Sequence, residues 1–327
     1  MTDLKLLMTT YSSAFLTSGG GESEMVQLAD LLKQSGCKAD LYGVGSRPLS
    51  YYDAVMHFSV AQDGECILKA AGAAGKKIFL WPNVWWQSPP DEDEVKRVRT
   101  FITNATCLLF KSEAERNHFI LNIGEVAIRN YVVPPGISDI FLQVPDTALL
   151  HTICELKNYV LCIGLIEATK NQLELIRALN ILGVSGLFVG GFREPDYNEL
   201  CTNEANSNIK FLPFLQPRSA LLRSAIANAA VVAEPSFDPP GRSCIEAAMM
   251  RKPLVLIDSP WAREHFEDGP HYAVAGDAAH LCGAINAAYR DKESATRIEH
   301  TYRRALNKHS ASNGIQALLN VLIPELF

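Results

Sequence analysis

The sequence has no apolar run approaching the roughly 18 to 20 residues of a membrane-spanning helix, no excess of positive charge, and no cysteine pair at metal or redox spacing. Its 327 residues carry a formal charge of −6, so composition gives no global pull toward nucleic acid or anionic lipid. Nucleic acid is therefore not expected as a partner. The eight cysteines (Cys37, Cys66, Cys107, Cys154, Cys162, Cys201, Cys244 and Cys282) are scattered without a CxxC or the Cys/His spacing of a zinc site. Most read as small buried residues, like Cys162 in YVLCIG. The opening MTDLKLLMTT lacks the basic segment and long apolar run of a secretory signal. Internal repeats and low-complexity segments are also missing. Together these absences set the expectation of a reducing, cytoplasmic compartment.

What is present is a large apolar fraction, 48% against 20% charged residues, the profile of a globular protein with a substantial core. Short apolar runs alternate with helical patterns almost from end to end. Strands are expected at 4–10, 38–44, 53–60, 76–82, 105–112 and 128–135, then at 158–164, 186–191, 208–214, 229–236 and 252–258. Between them, 21–36 carries Met25, Leu28, Leu31 and Leu32 at helical spacing, and 171–182 carries Leu173, Ile176, Leu179 and Leu182 on one stripe. Strands alternating with helices predict an α/β protein with parallel sheets flanked by helices. The pattern restarts after the proline-rich turn in VVPPGISD. That predicts two Rossmann-like domains, 1–145 and 146–310, facing a central cleft, with a terminal amphipathic helix at 311–327.

In open parallel sheets, ligands bind beyond the carboxyl ends of the strands, so the strand-end loops are where site chemistry is expected. Gly19, Gly20 and Gly21 lead into a helix, where bare backbone N–H groups can approach an anion or a sugar; the competing reading is a plain turn. Gly164 ends a buried strand, and Lys170 follows six residues later, placed to meet a phosphate or simply solvent. In SFDPPGRSCIEAAMM, Gly241, Arg242 and Ser243 open a helix whose first N–H groups form an anion site. Glu246 lies one turn further on, among Ala247, Ala248 and Met249. A buried charge requires a partner, these neighbours supply none, and hydroxyls of a ligand ribose would. His57 and Asn83 fall near strand ends in the first half, beside Trp85 and Trp86, whose rings suit either sugar stacking or core packing.

These segments, taken in order, resemble the family 4 glycosyltransferases of the GT-B fold. The likeness rests on YVVPPGISDIFL, NYVLCIGLIEATKNQLELIRAL and AAVVAEPSFDPPGRSCIEAAMMRKPLVL, covering about residues 131 to 290, and more loosely on GGGE in the first half. The resemblance implies a donor site in which Glu246 holds the nucleotide ribose, Asp238 addresses the donor sugar and Lys170 binds the diphosphate. Gly164, Gly241, Arg242 and Ser243 would present amides and charge to phosphate and sugar. Gly20 and Gly21 would face the donor phosphates, and His57 would stand near the reacting sugar, making His57, Asp238 and Lys170 the catalytic candidates. Asn83, Trp85 and Trp86 are the acceptor candidates, and the resemblance implies that the helix at 311–327 packs back on the N-terminal, acceptor-binding domain. Two departures stand out. Leu165 occupies the position where the family has an arginine, removing one bidentate phosphate contact that Arg242 or Arg193 would have to replace. Asp238 stands where the family has Glu.

The implied activity is transfer of a sugar from a nucleotide-sugar donor (UDP-, GDP- or another) to a saccharide or lipid-linked glycan, with retained configuration, no bound cofactor and no metal. Bacterial surface polysaccharide assembly is the implied setting, at the inner face of the membrane. For a peripheral membrane contact the candidate is the basic run Lys96, Arg97 and Arg99 after DEDE; a solvated helix is the competing reading. The alternative for the whole chain is a catalytically degenerate subunit that binds a nucleotide or a partner, and Leu165 is the residue that favours it.

Overall fold

The computed structural model describes residues 4–16, 19–61, 63–291 and 293–327. The chain divides into two compact units, residues 1–136 with 311–327 and residues 137–310. The change of unit falls at Gly136/Ile137, not at 145/146, because the segment after Gly136 is tied to the second unit. The Ile137 N–H donates to the His309 carbonyl, Arg223 Nη1 to the Ile140 carbonyl, and the Leu150 N–H to Ser224 Oγ.

In the first unit the strands are β1 (Lys5–Thr9), β2 (Lys38–Leu41), β3 (Ala54–Phe58), β4 (Lys77–Trp81), β5 (Cys107–Phe110) and β6 (Arg129–Val132). They form one parallel sheet in the order β2-β1-β3-β4-β5-β6. Both faces are covered, which is why these strands read as continuous apolar runs and not as alternations. One face packs Leu6, Met8, Met56 and Phe79 against Leu28 and Leu32 of the helix Gly20–Gln34 and against Ile315, Leu318 and Leu322 of the last helix. The other packs Val55, Ile78, Leu80 and Leu108 against Leu68, Phe101 and Phe119.

The second unit has β7 (Val160–Ile163), β8 (Gly186–Val189), β9 (Ile209–Leu212), β10 (Val231–Glu234), β11 (Leu254–Ile257) and β12 (His271–Ala273). Its parallel sheet runs β12-β11-β10-β7-β8-β9. Read in chain order from β7, this is the 3-2-1-4-5-6 arrangement of dinucleotide-binding folds, and its topological switch point lies between β7 and β10. Eleven of the twelve strands fall where the apolar runs predict them. The exception, β12, has three residues between Gly269-Pro270 and Gly276, too few for a periodic signal.

Candidate functional site

The carboxyl ends of β7 and β10 carry the charged groups. After β7 the chain turns at Gly164, whose φ of +153° lies where side chains are rarely tolerated. The neighbouring β8 is followed directly by Gly190, where a Cβ would overlap the Gly164 carbonyl. The two strand ends therefore approach through bare backbone. A short 3-10 turn, Ala168–Lys170, then leads through Asn171 into the helix Gln172–Leu182. Asn171 adopts a left-handed conformation and its Nδ2 donates to the Pro235 carbonyl, binding this turn to the loop after β10. The same two segments meet at Lys170 and Asp238, with Nζ 3.6 Å from Oδ2. Both side chains are partly exposed, so the pair is accessible to a ligand.

Beneath this pair lies a residue that the sequence reading passed over. Glu234, the last residue of β10, is 5% exposed. It accepts hydrogen bonds from the Gly241 N–H and from Ser243 Oγ, the latter at 3.1 Å. A carboxylate at the start of the helix Arg242–Met249 complements the partial positive charge of that end. Burial raises the Glu234 pKa, and Lys170, Gly241 and Ser243 counteract it. The Gly241 N–H and the Ser243 hydroxyl, both expected to serve the donor, are thus engaged by Glu234.

Glu246 is also 5% exposed, and burial lifts its pKa from 4.5 to about 7, with Arg242 and Arg218 acting in the opposite direction. Its cationic neighbours come from one turn earlier and from the loop before the helix Ala220–Asn228. The expectation that the protein offers Glu246 no positive partner is therefore corrected: two arginines lie within electrostatic reach. Arg193, a proposed replacement for the arginine missing at position 165, is paired with Glu167 at 2.9 Å. Leu165 itself uses its carbonyl to accept from Gln172 Nε2 at 2.7 Å.

In the first unit the placements differ more. Gly20 and Gly21 are not in a loop; they are the first two residues of the helix Gly20–Gln34, with Gly19 as the cap. Among the described residues outside its own helix turn, none lies within 4 Å of a Cβ built on Gly20, whereas one on Gly21 would meet Asn83 Nδ2 at 3.0 Å. Asn83 Oδ1 accepts from Lys111 Nζ, which also pairs with the buried Glu24 at 2.7 Å. The acceptor candidate Asn83 is therefore part of a Glu24–Lys111–Asn83 network joining the helix start to the ends of β4 and β5. Neither Glu24 nor Lys111 stands in a motif that would have flagged it.

His57 requires a correction. It is fully buried at 0% exposure, its Nδ1 lies 2.8 Å from Thr9 Oγ1, and burial lowers its pKa to about 3. Gly64 closes over the ring, since a Cβ there would lie 2.7 Å from Nε2. In this arrangement His57 is a neutral core residue, not a strand-end group open to solvent. Trp85 stacks on His118 with ring centroids 3.7 Å apart, and Trp86 Nε1 donates to Glu94 Oε1 at 3.0 Å. Both tryptophans are half-buried and held by local contacts.

Of the basic run, Arg97 pairs with Glu94 at 3.1 Å and Arg99 donates to the Ile123 carbonyl, each held within its own helical layer. No helix among the described residues is long and apolar enough to cross a membrane. All eight cysteines are free thiols.

Residues 157–291, all within the second unit, match the family model described as Glycosyl transferases group 1. Among solved structures, the chain is similar to sucrose-phosphate synthase from Thermosynechococcus elongatus, with a TM-score of 0.78 and 15% identity over 99% of each chain. It is similar to Anabaena Alr3699/HepE in complex with UDP, with a TM-score of 0.77 and 19% identity over 98% of this chain and 100% of that one. A glycosyltransferase from Rickettsia africae ESF-5 gives a TM-score of 0.76 and 15% identity over 99% of each. Comparison with curated protein sequences finds no match. At these identities the likeness establishes the fold: the chain has the two-sheet α/β fold of the GT-B glycosyltransferases.

Proposed function

We propose that this chain is a retaining, metal-independent glycosyltransferase that takes its sugar from a nucleotide donor bound in the second unit. The observation that carries the reading is the Lys170–Asp238 pair at the switch point of a 3-2-1-4-5-6 sheet, where nucleotides bind in folds of this order. Further support comes from the group 1 family match over the same unit and from Anabaena Alr3699/HepE, solved with UDP and with UDP-glucose. In this reading Lys170 stabilises the departing diphosphate as negative charge develops on it. In the same reading Asp238 accepts from hydroxyls of the transferred sugar, and Glu246 from the ribose. The acceptor hydroxyl attacks from the face the diphosphate leaves, and its proton passes to a departing phosphate oxygen. No protein carboxylate then serves as nucleophile, so Asp238 is a binding group and the paired-carboxylate scheme of glycosidases does not apply.

The acceptor in this reading is a saccharide or lipid-linked glycan, for which Trp85 and Trp86 offer aromatic faces, and the setting is surface polysaccharide assembly on the cytoplasmic side. The test is a thermal-shift titration with UDP, GDP, ADP, TDP and CMP, with and without EDTA, on wild type, Lys170→Ala and Glu246→Ala. One nucleoside diphosphate is expected to raise the melting temperature, with no effect of EDTA and with the shift lost in both variants. If none stabilises the wild type, the donor-site reading is wrong. The non-catalytic, partner-binding reading that Leu165 favours would then replace it.

A further inference from the structure

The inference concerns Glu234 and rests on the donor-site reading above. The helix Arg242–Met249 opens with its positive end toward the carboxyl edge of the sheet, where a donor phosphate would be drawn. In this chain that end already holds an anion. Glu234 takes the Gly241 N–H on one oxygen and the Ser243 hydroxyl on the other. The residue is buried at the end of β10, in register with the apolar Leu256 of β11, and these two hydrogen bonds hold its carboxylate at the helix start. The charged and titratable groups that interact with it are Lys170 and Asp238 from the two strand-end loops, Cys162 of β7, and Cys244 and Glu246 of the helix. Only Lys170 among these is a cation.

We propose that Glu234 acts as the protein's own anion at this helix end, occupying the Gly241 N–H and the Ser243 hydroxyl and weakening the hold of the site on phosphate charge. The consequence is selective. The nucleoside diphosphate product carries one more negative charge than the nucleotide sugar it came from, because the glycosyl ester is broken. An internal anion therefore penalises product more than donor. With Leu165 in place of a second phosphate cation, Glu234 sets a site built to release its diphosphate. Glu234 is in these terms a specificity-determining residue, and its removal has a sign opposite to the loss of a structural support.

The experiment is isothermal titration of wild type, Glu234→Gln and Glu234→Met, the last close in volume and uncharged in case the amide is not tolerated. The probes are UDP, GDP, ADP and TDP, with the glucose conjugate and the free nucleoside of whichever diphosphate binds the wild type. Either variant is expected to bind the diphosphate roughly three- to tenfold more tightly, with the gain shrinking between about 20 and about 200 mM salt. The glucose conjugate should gain less, and the nucleoside should stay within about twofold. Unchanged or weaker diphosphate binding in a variant that melts cooperatively, while wild type binds, overturns the role of Glu234 and leaves the donor site standing. An equal gain for the neutral nucleoside overturns it too, since charge would not be the cause. Absence of diphosphate binding in all three proteins overturns this inference and the donor-site reading together.

Discussion

Glu246 shows how a single buried carboxyl ties stability to ligand state. In the unfolded chain it titrates near 4.5, and in the folded protein near 7. Between those values the folded state holds a proton that the unfolded state has lost. The contribution of Glu246 to stability is therefore greatest below about pH 4.5, falls as pH rises, and is fully lost above about pH 7. Relative to Glu246→Gln, the wild-type melting temperature is expected to fall by roughly 5–10 °C between about pH 5 and 7.5, measured by calorimetry in matched buffers. Ribose hydroxyls donating to the ionised carboxylate would favour its charged form, so saturating nucleotide should flatten that slope. A wild-type and variant pair with parallel pH profiles would mean that Glu246 keeps an ordinary pKa. In sequence, Glu246 stands out because its immediate helix neighbours are apolar, a local signal. Its second arginine neighbour, Arg218, lies 28 residues upstream, and no spacing rule reaches that far. Glu234 was harder still to find: it closes an apolar strand and belongs to no pattern until Gly241 and Ser243 fold back onto it. His57 was misplaced for a related reason. In a sheet covered on both faces, alternation does not say which strand-end side chains reach solvent.

At the scale of elements, the apolar runs located the strands well because a parallel sheet buries both faces of each one. The observed strands are a few residues shorter than the runs, since the apolar stretch continues into the loop after the ladder has ended. Gly164 and Gly190 show what such runs conceal. Each reads as an ordinary end-of-strand glycine, yet together they let the ends of β7 and β8 approach closely, with the Gly164 N–H donating to the Val189 carbonyl at 3.0 Å. A side chain at Gly190 would collide with backbone, which cannot rotate aside. Gly190→Ala is therefore expected to cost about 2–3 kcal/mol or more in the second unit, read from urea denaturation. It should also displace the turn that carries Lys170 and weaken nucleotide binding. Gly183→Ala is the contrast: it ends the helix Gln172–Leu182 at φ +64° with no atom within 4 Å of an added Cβ. Its expected cost is the smaller backbone strain of about 1 kcal/mol, with binding intact. Equal losses at the two positions would mean that the strand-end approach is not a constraint.

For the molecule as a whole, the order of the chain and the order of its units differ. The second unit is one continuous stretch, whereas the first is completed only when the chain returns as the helix Ala311–Leu326. That helix supplies Ile315, Leu318 and Leu322 to the core that covers one face of the first sheet. It also buries Glu325, which accepts from the Tyr131 hydroxyl and pairs with Arg129 on the edge strand β6. Its start packs backbone to backbone with the chain crossing at Gly136, where a Cβ on Gly314 would overlap Gly136. Amphipathicity at the end of the sequence is enough to predict a helix; which surface it covers is legible only through the family resemblance, because the residues it meets lie far upstream, Tyr131 being 194 residues before Glu325. Removing residues 311–327 would bare an apolar face in the first unit and leave the core of the second unit, built from Val160, Phe188, Val231 and Val255, untouched. Each buried leucine or isoleucine lost carries on the order of 1.5–3 kcal/mol, so three of them approach the whole stability of an ordinary domain. Scanning calorimetry of a chain ending at Ser310 is therefore expected to lose the transition of the first unit while keeping that of the second. The nucleotide-dependent shift should follow the surviving transition. If both transitions persist at their full-length temperatures, the last helix is an appendage and the first unit is complete without it. If both disappear, the second unit depends on the first for its fold, and the autonomy argued from its separate core is refuted.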